Sequence, residues 1–218
     1  MDENKELRQF NVEMRLSEDK GLIEGCAIPF NTFSPVREGF REMILPEAVD
    51  GILEQSDIRF RYNHQEDKFL ARCNKGKGSL KIDKRDDGLY FSFKPKKDDL
   101  SQYVVERLLD GDLSEMSFAF VVESDQWTKN ADGIYERVIG KFYRLYDLSV
   151  VDNSFYGIEN AVTCKRFEEI QEEERKAIEE AQRKADEEKR QQEEAEKQKQ
   201  IKDAHDALVA EYGKYLLK

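Results

Sequence analysis

The amino-acid sequence predicts a mixed α+β chain: a strand-dominated first part of one ordinary domain's size, followed by a long charged helix. Three observations carry this. Up to Cys164, short runs alternate apolar and polar residues between glycine, proline and acidic turn signals. One segment there, after Asp98, has helical spacing instead. From Lys165 the composition turns to Glu, Lys, Arg, Gln and Ala, with no proline and no glycine until Gly213, which favours helix. The expected divisions are residues 1–164 for the globular part, 165–200 for a charged helical linker or weak coiled coil, and 201–218 for an amphipathic terminal helix.

Taken in order, Phe10 to Arg15 and Leu22 to Ile28 alternate around Gly21 and Gly25 and predict an opening hairpin. Asn31 to Arg41, with Pro35 and Gly39, reads as a surface loop before a Met43-Ile44-Leu45 strand, after which Pro46 starts a short helix through Leu53. Ile58 to His64 alternates cleanly, so Ile58, Phe60, Tyr62 and His64 are expected on one strand face, with His64 ending the strand on its apolar side. Leu80 to Ile82 and Leu89 to Phe93 flank Asp86-Asp87-Gly88, a hairpin signal. Asp98-Asp99 opens a helix carrying Leu100, Tyr103, Val104, Arg107 and Leu108, and Gly111 stops it. Leu113 to Val122, Tyr135 to Phe142 and Leu145 to Val151 complete the strands, with a turn at Asn130 to Gly133.

In the tail, Glu172 with Lys176, Glu180 with Lys184, Asp186 with Arg190 and Glu193 with Lys197 fall at i, i+4 and support a solvated helix over a strong coiled coil. Ile201, Ala204, Leu208, Tyr212 and Leu216 then recur at helical spacing. Docking on its own domain, self-association and binding of another protein all remain open for that face.

A net charge of −11 disfavours a phosphate-tracking surface, although Lys94 to Lys97 forms a local basic strip. Cys26, Cys73 and Cys164 are odd in number and widely spaced, so neither a disulfide framework nor a zinc site is expected. The start, Met1 to Glu6, lacks a basic and apolar leader, and no run approaches the ~20 apolar residues that span a bilayer. The expectation is a soluble cytosolic protein in a reducing compartment, with neither nucleic acid nor membrane as partner.

Hydrolytic chemistry rests on few residues. Ser117 sits in the apolar run Leu113 to Val121, flanked by Met116 and Phe118, with small Ala119 on its own side. A serine nucleophile needs a base, and the chain has two histidines, His64 and His205. His205 lies between Asp203 and Asp206 in the charged tail and reads as a solvated helix residue, so His64 is the candidate base. Asp147 begins a strand pattern and is the candidate orienting acid, with Asp152 and Glu115 as alternatives. By pattern alone an ordinary strand serine, a structural histidine and a surface acid are the commoner readings. Cys73 reads as an inert thiol.

The ordered series Phe40-Arg41-Glu42-Met43-Ile44-Leu45-Pro46-Glu47-Ala48-Val49, then Asn63-His64, then Gly78-Ser79-Leu80-Lys81-Ile82 and Asp87-Gly88-Leu89-Tyr90 resembles the prohead maturation proteases of tailed phages. Met116-Ser117-Phe118-Ala119-Phe120 resembles the nucleophile strand of that family, and Asp147-Leu148-Ser149-Val150-Val151 its closing acidic strand. Ala119 stands where the family often has glycine, and Asp147 where glutamate is frequent.

The resemblance covers Phe10 to Cys164 and implies Ser117 as nucleophile, His64 as base and Asp147 as acid, with no cofactor and no metal. It also implies a fold similar to herpesvirus assemblin, a strand barrel or sandwich with flanking helices. The implied partners are scaffolding protein or domain and major capsid protein, cut inside an immature procapsid in the host cytoplasm, with self-cleavage. The other reading is a non-enzymatic assembly protein with a protease-like head, in which the helical tail, through scaffold contacts or self-association, does the work.

Overall fold

The computed structural model describes residues 5–11, 14–17, 21–37, 39–152 and 165–216. The chain divides into two compact units, Met1–Cys164 and Lys165–Lys218. Cys164 lies outside the described residues.

The first unit holds two sheets. Strands β1 (Glu6–Asn11), β4 (Phe40–Ile44), β5 (Asp57–Tyr62), β6 (Phe69–Asn74), β7 (Lys77–Gly78), β10 (Glu115–Lys129) and β11 (Tyr135–Val151) form the larger, in the order β1-β10-β11-β5-β6-β7 with β4 also on β11. Strands β2 (Met14–Leu16), β3 (Ile23–Pro29), β8 (Lys81–Lys84) and β9 (Gly88–Phe93) form the smaller, in the order β2-β3-β9-β8. The core lies between them: Phe60 of β5 packs its ring 4.7 Å from both Phe91 and Phe93 of β9.

Of the barrel or sandwich expected, a closed barrel does not form. Among the described residues β1 and β7 are unpaired ends of one sheet and β2 and β8 of the other, so no ladder closes either sheet on itself. The opening hairpin forms as β2 with β3, but its first residues, Phe10 and Asn11, belong to β1, which pairs with β10 in the other sheet. The hairpin of β8 and β9 and the turn at Asn130 to Gly133 form where their signals lie.

Two elements depart from their sequence patterns in ways that build the site. The expected pair of strands over 135–142 and 145–151 is one strand of 17 residues, β11. No glycine or proline breaks it at Tyr143 to Tyr146. Its register against β10 instead skips Tyr143 and Tyr146, so bulges there absorb what reads as a gap. Its length lets β11 take β4 as a parallel partner along Tyr135 to Ile139 and β5 along Asp147 to Val150. A 3-10 turn at Pro46–Val49 and a one-turn helix α1 (Ile52–Gln55) carry the chain between those two neighbours.

His64 is the second correction. Strand β5 ends at Tyr62, and Asn63 and His64 both adopt left-handed backbone, with φ of 51° and 54°. His64 therefore lies in a turn beyond the strand, not on the apolar face of Ile58 and Phe60. The helix α2 (Asp99–Leu109) starts as expected, with the Asp98 side chain accepting from the Ser101 N–H at 2.8 Å.

The second unit is a single helix, α3 (Lys165–Leu216), which runs unbroken past residue 200. At 1.5 Å per residue it is about 78 Å long. Lys176 with Glu172 and Lys184 with Glu180 pair at 3.3 and 2.8 Å as their spacing predicts. Ile201, Leu208 and Val209 are exposed, while the side chains of Tyr212 and Leu216 lie outside the described residues. Among the described residues no helix is long and apolar enough to cross a membrane.

Candidate active site

The middle of the larger sheet has one face in the core and one facing away from it. Met116, Phe118 and Phe120 of β10 and Leu148 and Val150 of β11 fill the core. Alternation then puts Ser117 and Ala119 of β10 and Asp147 and Ser149 of β11 on the other face. The antiparallel register sets Ser117 opposite Ser149 and Ala119 opposite Asp147. On the far side of β11, β5 places Arg61 beside Ser149 and Tyr62 beside Val150.

The turn after β5 completes the arrangement. The Asn63 N–H donates to the Val150 carbonyl at 2.9 Å, extending the ladder by one bond. The Asn63 side chain brackets Asp152, donating to its carboxylate at 2.9 Å and accepting its backbone N–H at 3.1 Å. The left-handed pair then folds the His64 ring back over Asp147 and Ser149.

Three side chains meet in a line. His64 Nδ1 lies 2.5 Å from Asp147 Oδ1, and His64 Nε2 lies 2.6 Å from Ser117 Oγ. An ionised carboxylate only accepts, so the first contact places the imidazole proton on Nδ1 and leaves the Nε2 lone pair to accept from the serine hydroxyl. The structure thus brings together Ser117, His64 and Asp147, the three residues singled out in the sequence.

The acid is deeply buried. Asp147 is fully buried, whereas the His64 side chain keeps 19% of its surface exposed. Burial pushes the Asp147 carboxyl up, but hydrogen bonding and charge from His64, the nearby Lys5 and the Ser149 hydroxyl outweigh it and hold the carboxyl below its ordinary range. Oδ1 receives His64 and Ser149. Oδ2 makes no hydrogen bond among the described residues and faces Arg61 Nη1 at 3.6 Å and Lys5 Nζ at 3.9 Å.

Sequence reasoning did not find Ser149, Arg61 or Lys5. Ser149 sits among Leu148, Val150 and Val151, which is the signal it offered, whereas Arg61 is one of the polar positions of an alternating strand with Asp57 and Arg59 and offered none. Lys5 arrives through the pairing of β1 with β10. That pairing is fixed by a buried charge cluster in which Arg137 donates to both Glu6 oxygens at 2.6 and 2.8 Å and to Asp125 at 2.7 Å. Arg8 pairs with both Glu6 and Glu42 in the same cluster.

The alternative candidates lie elsewhere. Asp152 bonds Tyr62 and Asn63, and Glu115 accepts from Gln9. Burial pushes the Cys73 thiol up, in keeping with an inert residue. His205 is exposed on α3 beside Asp206. Among the described residues no three His, Cys, Asp or Glu side chains are grouped to hold a metal ion.

A family profile described as the caudovirus prohead serine protease matches residues 9–173, roughly three quarters of the chain. The chain belongs to the caudovirus prohead serine protease family. The match contains Ser117, His64 and Asp147 and runs into the start of α3. Among solved structures, the capsid assembly protease of bacteriophage T4 is similar to this prohead protease family member at 10% identity, over 68% of this chain and 98% of that one, with a TM-score of 0.42. No curated protein matches the chain.

Proposed function

We propose that this prohead serine protease is an endopeptidase in which Ser117 is the nucleophile, His64 the general base and Asp147 the orienting acid. The observation that carries this is the continuous contact from Ser117 Oγ through the imidazole to Asp147 Oδ1, at 2.6 and 2.5 Å. His64 Nε2 takes the hydroxyl proton as Oγ attacks a peptide carbonyl, and the buried carboxylate stabilises the imidazolium that forms. The imidazolium returns that proton to the leaving amine. Water then hydrolyses the acyl-enzyme, with His64 again as base. The chemistry calls for no metal or organic cofactor.

Family membership supports substrates within the assembling head: scaffolding protein or domain, the N-terminal segment of the major capsid protein, and the protease itself. The site of action is the interior of an immature procapsid in the host cytoplasm, and the exposed apolar positions of α3 are the surface by which the enzyme joins scaffold, capsid subunits or a second copy. Coexpression with the capsid and scaffold proteins, comparing wild type with Ser117→Ala and His64→Ala by mass spectrometry of fragments, tests the reading. Fragments in wild type alone are expected. The same intact proteins in all three would overturn it.

A further inference from the structure

We propose that Ser149 is a positioning residue of this site, a buried hydroxyl that ties the His64 backbone to the Asp147 carboxylate and so holds the imidazole against Ser117. The inference rests on the Ser117, His64, Asp147 reading. Ser149 is fully buried, and its Oγ touches both partners of the acid and base pair. It donates to Asp147 Oδ1 at 3.0 Å, accepts from the His64 backbone N–H at 3.3 Å, and lies 3.1 Å from His64 Nδ1.

Hydroxyl bookkeeping fixes these roles. Ser149 has one proton and two lone pairs. Its proton goes to the carboxylate, which has none of its own. One lone pair takes the His64 N–H, and the other faces the Nδ1–H that Asp147 already holds. Every capacity of the hydroxyl is directed at His64 or Asp147.

The backbone explains why such a tie is needed. Asn63 and His64 are consecutive non-glycine residues in left-handed conformation, which side chains resist unless neighbours hold it. Asn63 is held by Val150 and Asp152. For His64, the N–H to Ser149 is the corresponding bond, and it comes from the same strand that supplies the acid.

The probe is a fluorophosphonate, which phosphonylates an activated serine and releases fluoride, used with the full chain so that no peptide substrate is required. Ser149→Ala is expected to lower the maximal inactivation rate about tenfold, the size of one hydrogen bond to a charged group, with the probe's binding constant within about twofold. A double-mutant cycle separates positioning from general damage. In a His64→Ala background the same substitution should change the residual rate by less than about twofold, because Ser149 acts only through His64 and Asp147. An unchanged rate in Ser149→Ala, or an equal loss in both backgrounds, overturns the proposal. If His64→Ala itself reacts as fast as wild type, the serine and histidine reading falls instead. Should Ser149→Ala not fold, Ser149→Cys, which fills the site with a somewhat larger atom and has a weaker donor, carries the same comparison.

Discussion

Asp147→Asn removes one charge and almost no volume, and the structure sets the size of the effect. With Nδ1 2.5 Å from Oδ1, the centres of imidazolium and carboxylate charge lie about 4 Å apart. At an effective dielectric of about 20 that attraction is ~4 kcal/mol, and it acts only after His64 has taken the serine proton. At ~1.4 kcal/mol per tenfold, the expected loss is roughly a thousandfold in rate. Asparagine can also turn its NH₂ toward Nδ1, which favours the tautomer whose Nε2 already carries a proton and adds to the loss. The assay is the pseudo-first-order rate of fluorophosphonate labelling at Ser117, with thermal denaturation run in parallel to remove any unfolded fraction. Asp152→Asn is the control, because that carboxylate bonds Tyr62 and Asn63 rather than the imidazole. A rate within tenfold of wild type for Asp147→Asn, or a thousandfold loss for Asp152→Asn, would refute the assignment of the acid.

Stability gives three more tests. Arg137→Ala takes from buried Glu6 its main counter-charge and from Glu42 its second, after Arg8, and should cost about 3–5 kcal/mol in urea unfolding, against little for truncation of an exposed pair such as Lys141 with Glu123. Burial raises the Glu6 carboxyl, but the Arg137 and Arg8 contacts more than reverse this, and Asp147 is likewise held down, so both fall below their ordinary values of 4.5 and 3.8. Their stabilisation is thus fully present above those ordinary values and lost as pH falls through the lower folded ones; the urea midpoint should be level above about pH 5 and drop below it, with a shallower drop in Glu6→Gln. Gly78 has φ of +143°, and a Cβ there would sit 2.0 Å from the Arg72 carbonyl oxygen, so Gly78→Ala should lower the melting temperature clearly more than Gly133→Ala, whose Cβ meets nothing within 4 Å.

Local signals made most elements readable. The Asp86-Asp87-Gly88 turn, the Asp98 cap and the charged helix after Lys165 each depend on neighbours in sequence, and each forms where its residues predict. Long-range pairing was not readable in that way. That β11 would take β4 and β5 as successive parallel partners depends on its unbroken length, which the tyrosines at 143 and 146 disguised. The choice between barrel and sandwich was not readable for the same reason, since closure is a property of which edges meet and not of any one strand's pattern. His64 was found because the chain has so few histidines, yet its placement was misread, for alternation through Tyr62 gives no warning that the next two residues turn left-handed.

The bulge at Tyr146 is where strand pattern and site chemistry separate. In a regular strand Leu145 and Asp147, two residues apart, would share a face, and burying Leu145 would carry the carboxylate into the apolar core. The skipped residue reverses the alternation, so Leu145 packs in the core opposite Phe120 while Asp147 turns to the face of Ser117 and Ser149. Pairing Tyr146 regularly instead of skipping it would therefore shift one side of the strand relative to the other and put either Leu145 or the acid on the wrong face. The same strand then supplies core on one side and the carboxylate with its supporting hydroxyl on the other. The site depends on that bulge as much as on the identity of Asp147, because an acid at this position reaches His64 only when the register has already slipped by one.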